Sequence, residues 1–146
     1  MLKAVVRLAL ACLLVVPGCG PSGPEIASVV GTVKMDGKPL PHAIVMFVPQ
    51  GGRPSVAEAD ENGKYVLQFS GGRKGAIPGL NRVEINTFAP MGYEVDGTVI
   101  PGRKEVVPAR YNRFTTLEFE VQPGKKNIAD FDLESSGKVI ADNAGY

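Results

Sequence analysis

Residues 116–133 read TLEFEVQPGKKNIADFDL. In this stretch Leu117, Phe119 and Val121 alternate with Glu118 and Glu120, and Ala129, Phe131 and Leu133 alternate with Asp130 and Asp132. A period of two, apolar then acidic, is that of β-strands with one face on a core and the other in water. The same spacing tells against reading these four acids as paired catalytic carboxylates. A general acid needs burial or a close like charge to raise its pKa, and alternate acids on a strand are normally its solvated face.

Outward from this stretch the pattern repeats. Arg82-Val83-Glu84-Ile85-Asn86-Thr87-Phe88 alternates, and Tyr65, Leu67 and Phe69 share one side of Lys64 to Phe69. Val29 to Met35, His42 to Pro49 and Val56 to Ala59 are further β-rich runs. Asp36-Gly37 predicts a hairpin-like reversal, with a loop longer than two residues before the run at His42. Asn62-Gly63 predicts a tight hairpin in which both residues take positive φ. Gln50 to Pro54 and Ser70 to Leu80 read as loops, and residues 89–113 as mostly irregular, with a short strand at Glu105-Val106-Val107. No 11-residue window shows helical spacing, while 18 glycines and 12 prolines punctuate short runs. About seven strands with no helix to cover a parallel sheet predict an all-β fold, a Greek-key sandwich of two antiparallel sheets.

The N-terminus has a different plan. MLKAVVRLALACLLVVPGCG places Lys3 and Arg7 before an apolar run from Leu8 to Val16, then small residues ending at Cys19. That order is a signal peptide, and the run is about half the length of a membrane-spanning helix. Val16-Pro17-Gly18-Cys19 resembles the lipobox of bacterial lipoproteins, with Pro17 where that motif prefers Ala, Ser, Thr or Val. The resemblance implies cleavage after residue 18, acyl chains such as palmitate on Cys19, and attachment to the membrane through that lipid, each buried CH₂ adding about 0.8 kcal/mol. The plain alternative is an ordinary cleaved signal in which Cys19 is incidental. Gly20, rather than Asp, after the cysteine favours the outer membrane by the sorting rule of diderm bacteria. The expected divisions are residues 1–18 signal, 19–27 lipidated Cys19 and tether, 28–133 sandwich, and 134–146 a polar, frayed tail.

Cys12 leaves with the signal, so no disulfide is available and about 128 residues depend on an apolar core. Loss of Lys3 and Arg7 turns the net charge from +1 to −1, which offers no basic field for nucleic acid.

Gly31-Thr32-Val33, Asp36-Gly37-Lys38-Pro39-Leu40, Ala43-Ile44-Val45 and Ala59-Asp60-Glu61-Asn62-Gly63-Lys64-Tyr65 resemble the carboxypeptidase regulatory-like, or transthyretin-like, domain. Val107-Pro108-Ala109-Arg110-Tyr111-Asn112 and the closing run Asn127 to Leu133 are similar to elements of small bacterial lipoproteins in that superfamily. The resemblance covers about Val29 to Leu133. It implies a seven-stranded prealbumin-like sandwich with an accessory, non-catalytic role. Where such domains continue Pro-Gly with Lys or Arg and then Tyr, this chain has Leu80-Asn81-Arg82.

Chemistry is sparse. His42 is the only histidine, with no nucleophile elbow beside it, and the mature chain cannot supply a zinc ligand set. An enzyme branch of the transthyretin-like fold uses several histidines and a Tyr-Arg-Gly-Ser-type ending, whereas this chain ends Asp142-Asn143-Ala144-Gly145-Tyr146. Asp60-Glu61-Asn62-Gly63 lacks the further acid of a calcium loop, since Phe69 stands six residues after Gly63. No metal, cofactor or catalytic residue is expected. The candidate partner-binding residues are Tyr93, Arg103, Arg110 and Tyr111 in the long stretch 89–113, with Tyr111 equally readable as a loop anchor. The expectation is a lipid-anchored envelope module for a protein or carbohydrate partner. The alternatives are a small-ligand carrier and a periplasmic hydrolase using carboxylates or a loop-bound metal.

Overall fold

In a computed structural model, which describes residues 23–140, the chain is all-β with two short 3-10 turns. The signal segment, Cys19 and residues 141–146 lie outside the described residues. No helix among the described residues is long and apolar enough to cross a membrane.

The first sheet is built around β1 (Val29–Met35), with β2 (Lys38–Pro39) and β5 (Lys64–Val66) antiparallel to it and β10 (Asn127–Ile128) and β11 (Phe131–Leu133) parallel to it. The second sheet has the order β4 (Ser55–Glu58), β3 (Ile44–Pro49), β6 (Gly79–Asn86), β9 (Glu118–Val121), antiparallel throughout. A separate two-stranded ribbon pairs β7 (Gly92–Tyr93) with β8 (Val99–Ile100). The expectation of two antiparallel sheets therefore holds for only one. The closing run, which alternates as predicted, lies parallel to β1, because alternation fixes which side chains face inward but not strand direction.

The inward residues of both sheets form one core. Val29, Val33, Tyr65, Leu67, Ala129 and Leu133 meet Val45, Phe47, Val83, Ile85 and Val121, all buried. Phe47 packs its ring on Phe119 at 5.7 Å and, across to the first sheet, on Phe131 at 6.4 Å in an edge arrangement.

Gly31 opposes Tyr65, whose ring lies over the bare backbone and whose hydroxyl donates to the carbonyl of Ala129 at 2.6 Å. With that carbonyl taken, the N–H of Thr32 donates to Oδ1 of Asp130 at 2.7 Å. The closing strand is consequently split into β10 and β11. Asp130 and Asp132 stay exposed, yet both cap backbone N–H groups, Asp132 that of Gly37.

The turns depart from the sequence pattern in register. Asp36 and Gly37 both take positive φ, 51° and 76°, and close a two-residue turn that pairs Met35 with Lys38. The run at His42 to Pro49 thus leaves for the second sheet instead of completing that hairpin. In the second turn only Gly63 has positive φ, not Asn62. Oδ1 of Asp60 accepts from the N–H groups of Asn62 and Lys64 and holds the loop by a side-chain clasp. The sixth strand starts at Gly79, three residues before the predicted alternation.

Candidate functional site

Strand direction divides the domain into two ends. Strand β1 starts at one end and β6 starts beside it, where Gly79 pairs with Val121 and Asn81 with Pro49. At the other end β6 finishes with Asn86 opposite Ile44. The ribbon that follows β6 therefore leaves from the end opposite the N-terminal segment.

Residues 89–103 fold back on themselves, and the predicted irregular stretch is in this part a hairpin. Ala89 and Arg103 exchange backbone hydrogen bonds at 3.1 and 2.8 Å, and a turn closes where the N–H of Gly97 donates to the carbonyl of Glu94. Asp96 takes the N–H of Thr98, and that bond holds its carboxyl below the usual range. Along the ribbon Met91, Tyr93, Val95, Val99 and Ile100 stand in water, Met91 63% and Tyr93 69% exposed. An isolated two-stranded ribbon is marginal in water, so its base matters.

That base is a polar clasp. Glu105, predicted to lie in a strand, is not in one; it turns inward and is 6% exposed. Its Oε1 accepts from the N–H groups of Thr87 at 3.0 Å and Val107 at 2.8 Å, and the Thr87 hydroxyl lies 2.9 Å away. Val106 N–H donates to that hydroxyl. Oε2 of Glu105 and Nε of Arg103 are buried without a partner among the described residues, beside a cleft of about 530 Å³ lined by Phe88, Met91 and Arg103 among others.

A charged bridge ties the ribbon to the second sheet. Nη1 of Arg103 lies 3.1 Å from Oε1 of Glu58, which also receives Nδ1 of His42 at 2.9 Å. Nε2 of His42 faces Glu61 at 3.2 Å, and His42 itself sits at a left-handed φ of 59°. The two carboxylates address opposite ring nitrogens and cannot converge on one ion. Among the described residues no group of three His, Cys, Asp or Glu side chains could hold a metal.

Burial pushes the Glu58 carboxyl up, but its hydrogen bonds to His42 and Arg103 and their charges outweigh this and hold it below the usual range. A carboxyl lowered in the fold stabilises fully above its unfolded value, near 4.3, and loses that contribution as pH falls through the folded value. Acid titration below pH about 4 is therefore expected to shift the amide NMR signals of Ala89 and Arg103. Glu58→Gln should abolish that step, and an unchanged step in the variant would discard the bridge as its origin.

The sequence-derived candidates separate into two groups. Tyr93 lies on the free face of the ribbon and Arg103 at its base. Arg110 and Tyr111, in the 3-10 turn Ala109–Tyr111, hold the following tail instead. The Arg110 guanidinium stacks 4.8 Å from the Tyr111 ring and donates to the carbonyl and carboxylate of Glu134. Tyr111 accepts the N–H of Glu134 at 3.1 Å, and Ala109 N–H donates to the carbonyl of Lys138. Residues 134–138 are thus fastened to the domain, contrary to the frayed tail expected there. Glu58 and Glu105 carried no recognisable signal, whereas the ribbon did: Asp96-Gly97 is the same turn dipeptide as Asp36-Gly37, set between Tyr93, Val95 and Val99.

No family model matches the chain, and no curated protein matches it. Among solved structures, a 9R-lipoxygenase from Cyanothece aligns with 77% of this chain and 17% of its own, at 14% identity and a TM-score of 0.35. The chain therefore spans less than a fifth of that enzyme's length, and a likeness this distant assigns neither fold family nor activity.

Proposed function

We propose that this chain is a lipid-anchored, non-catalytic module of the bacterial envelope, tethered through Cys19 and presenting the 89–103 ribbon to a protein or carbohydrate partner. The scaffold is read as a Greek-key sandwich of the prealbumin-like kind. Its seven principal strands are β1, β3, β4, β5, β6, β9 and the interrupted β10 and β11 taken together. The carrying observation is the ribbon itself, five exposed apolar side chains on a pinned hairpin at the end away from the tether. Exposed apolar and aromatic groups on a rigid base are what recognition surfaces use.

A second reading, a small-ligand carrier, is favoured by the buried unpartnered atoms of Glu105 and Arg103 beside the cleft. Such a ligand would offer a donor to the carboxylate and an acceptor to the guanidinium.

The test is photocross-linking in cells from position 93 or 95, with position 80 on the flank of the second sheet as control. Intact mass should show acylated Cys19, and the ribbon positions should capture one reproducible envelope component that position 80 does not. Equal labelling from all three positions would sink the ribbon as the recognition surface, and an unmodified Cys19 would sink the anchor.

A further inference from the structure

Four segments meet at the end of the domain where the described chain begins: residues 23–28, 50–54, 70–78 and 122–126. Their placement follows from the pairings of Val29 with Asn127, Gly79 with Val121, Asn81 with Pro49, and Ala27 with Ala76. These segments carry Arg53, Arg73, Lys74, Lys125 and Lys126, all exposed, against Glu25 as their only acid. That is a local charge of +4 on a mature chain of net −1. The opposite end mixes signs, with Asp36, Asp60, Glu61, Glu94 and Asp96 facing Lys38, Lys104, Arg110 and Arg113. Glu120 lies on the flank of the second sheet, where it opposes Leu80.

The basic end also has a receptive shape. A groove of about 560 Å³ runs between Gly51–Arg53 and Phe69–Arg73, floored by Phe69 and Ile77. The Arg73 guanidinium is held over the Phe69 ring at 4.9 Å and donates to the carbonyl of Pro24 at 3.0 Å, so its charge is positioned beside the tether.

We infer that this end is an electrostatic docking face for the anionic phospholipid headgroups of the membrane that holds Cys19. The inference rests on the lipoprotein reading above. Three residues lie between Cys19 and Gly23, a span of at most about 14 Å of extended chain, so a lipidated Cys19 brings the basic end close to the bilayer surface. Attraction to an anionic surface decays over a Debye length of about 8 Å at physiological salt. The tether is therefore at most about two Debye lengths long and leaves the basic end free to approach within one. Docking there orients the domain, because the ribbon leaves from the far end and would point away from the membrane.

The experiment uses the acylated mature chain in vesicles of phosphatidylcholine with or without phosphatidylglycerol. A pulse of lysine-acetylating reagent is read by mass spectrometry at Lys74, Lys125 and Lys126, and at Lys38, Lys104 and Lys138 in the same molecules. The tether-end lysines are expected to react about threefold or more slowly in phosphatidylglycerol vesicles, and this protection should vanish in molar salt. The distal lysines should react equally in both vesicles. Replacing Lys125→Glu with Lys126→Glu, both in an exposed loop, should also reduce protection at Lys74. An acylated chain in which these six lysines are indifferent to lipid charge would overturn the docking face and leave the anchor standing. An intact mass without acyl chains would overturn the anchor and the docking face together.

Discussion

Gly31→Ala is expected to cost the domain about 3–5 kcal/mol, as overpacking joined to a lost buried hydrogen bond. The backbone at Gly31 is that of an ordinary strand; the constraint is space. A methyl group there would stand 1.8 Å from the carbonyl oxygen of Ala129 and 2.9 Å from Cε1 of Tyr65. The first contact is with backbone on the neighbouring strand, so a rotamer change cannot relieve it. The second is with a ring that is 3% exposed and fixed by its hydroxyl on Ala129. Either β1 separates from the closing strand or Tyr65 leaves its seat.

Burial, with the charge of Asp130 beside it, raises the Tyr65 pKa far above the ordinary phenol value, so that hydroxyl remains a donor. Thermal unfolding should show a fall in Tm of roughly 10 °C or more. Tyr65→Phe, which keeps the ring and strands only the Ala129 carbonyl, should cost about 1–2 kcal/mol. A Gly31→Ala variant that melts within about 2 °C of the parent would show that the strand pair has slack and that the ring is not seated as described.

The same residues show how far the sequence could be read. Alternation identified which side chains of β1, β3, β6, β9 and the closing run face inward, because burying one face of a strand demands it. It could not reveal that the closing run is parallel to β1. Its direction follows from the turn at 122–126: β9 ends at the end where β1 starts, with Val121 opposite Gly79, and Asn127 then lies beside Val29, so the returning chain runs along β1 in the same sense. Nor could it show why the run breaks between Ile128 and Phe131, since the cause is a tyrosine hydroxyl more than sixty residues away in sequence.

At the candidate site, Tyr93 could be read as a loop aromatic, but its separation from Arg110 and Tyr111 could not. The deciding partner of the latter pair is Glu134, in a segment whose polar composition suggested fraying. Glu105 was least legible of all. A lone acid between Lys104 and Val106-Val107 looks like the solvated face of a strand, and only three converging hydrogen-bond donors show otherwise.

Glu105 therefore supports the second large expected effect. Glu105→Ala leaves the N–H groups of Thr87 and Val107 without their acceptor in a buried setting, at about 1–3 kcal/mol each. A total near 3–4 kcal/mol is expected by denaturant titration. Amide exchange should quicken at Ala89 and Arg103, because the clasp and the Glu58 bridge hold the base of the ribbon, closed by the Ala89–Arg103 backbone pair, to the rest of the domain. Glu105→Gln keeps an oxygen at the Oε1 position and should cost about 1 kcal/mol, the difference between charged and neutral acceptors. It also places an NH₂ group where Oε2 now lies without a partner among the described residues. If a clasp is all that Glu105 provides, the glutamine variant will retain both the ribbon's slow exchange and its cross-link. If glutamine proves as damaging as alanine, the free oxygen must be working as an anion. The cleft beside it would then be the place where a donor-bearing ligand binds, and the carrier reading would displace the ribbon-recognition reading.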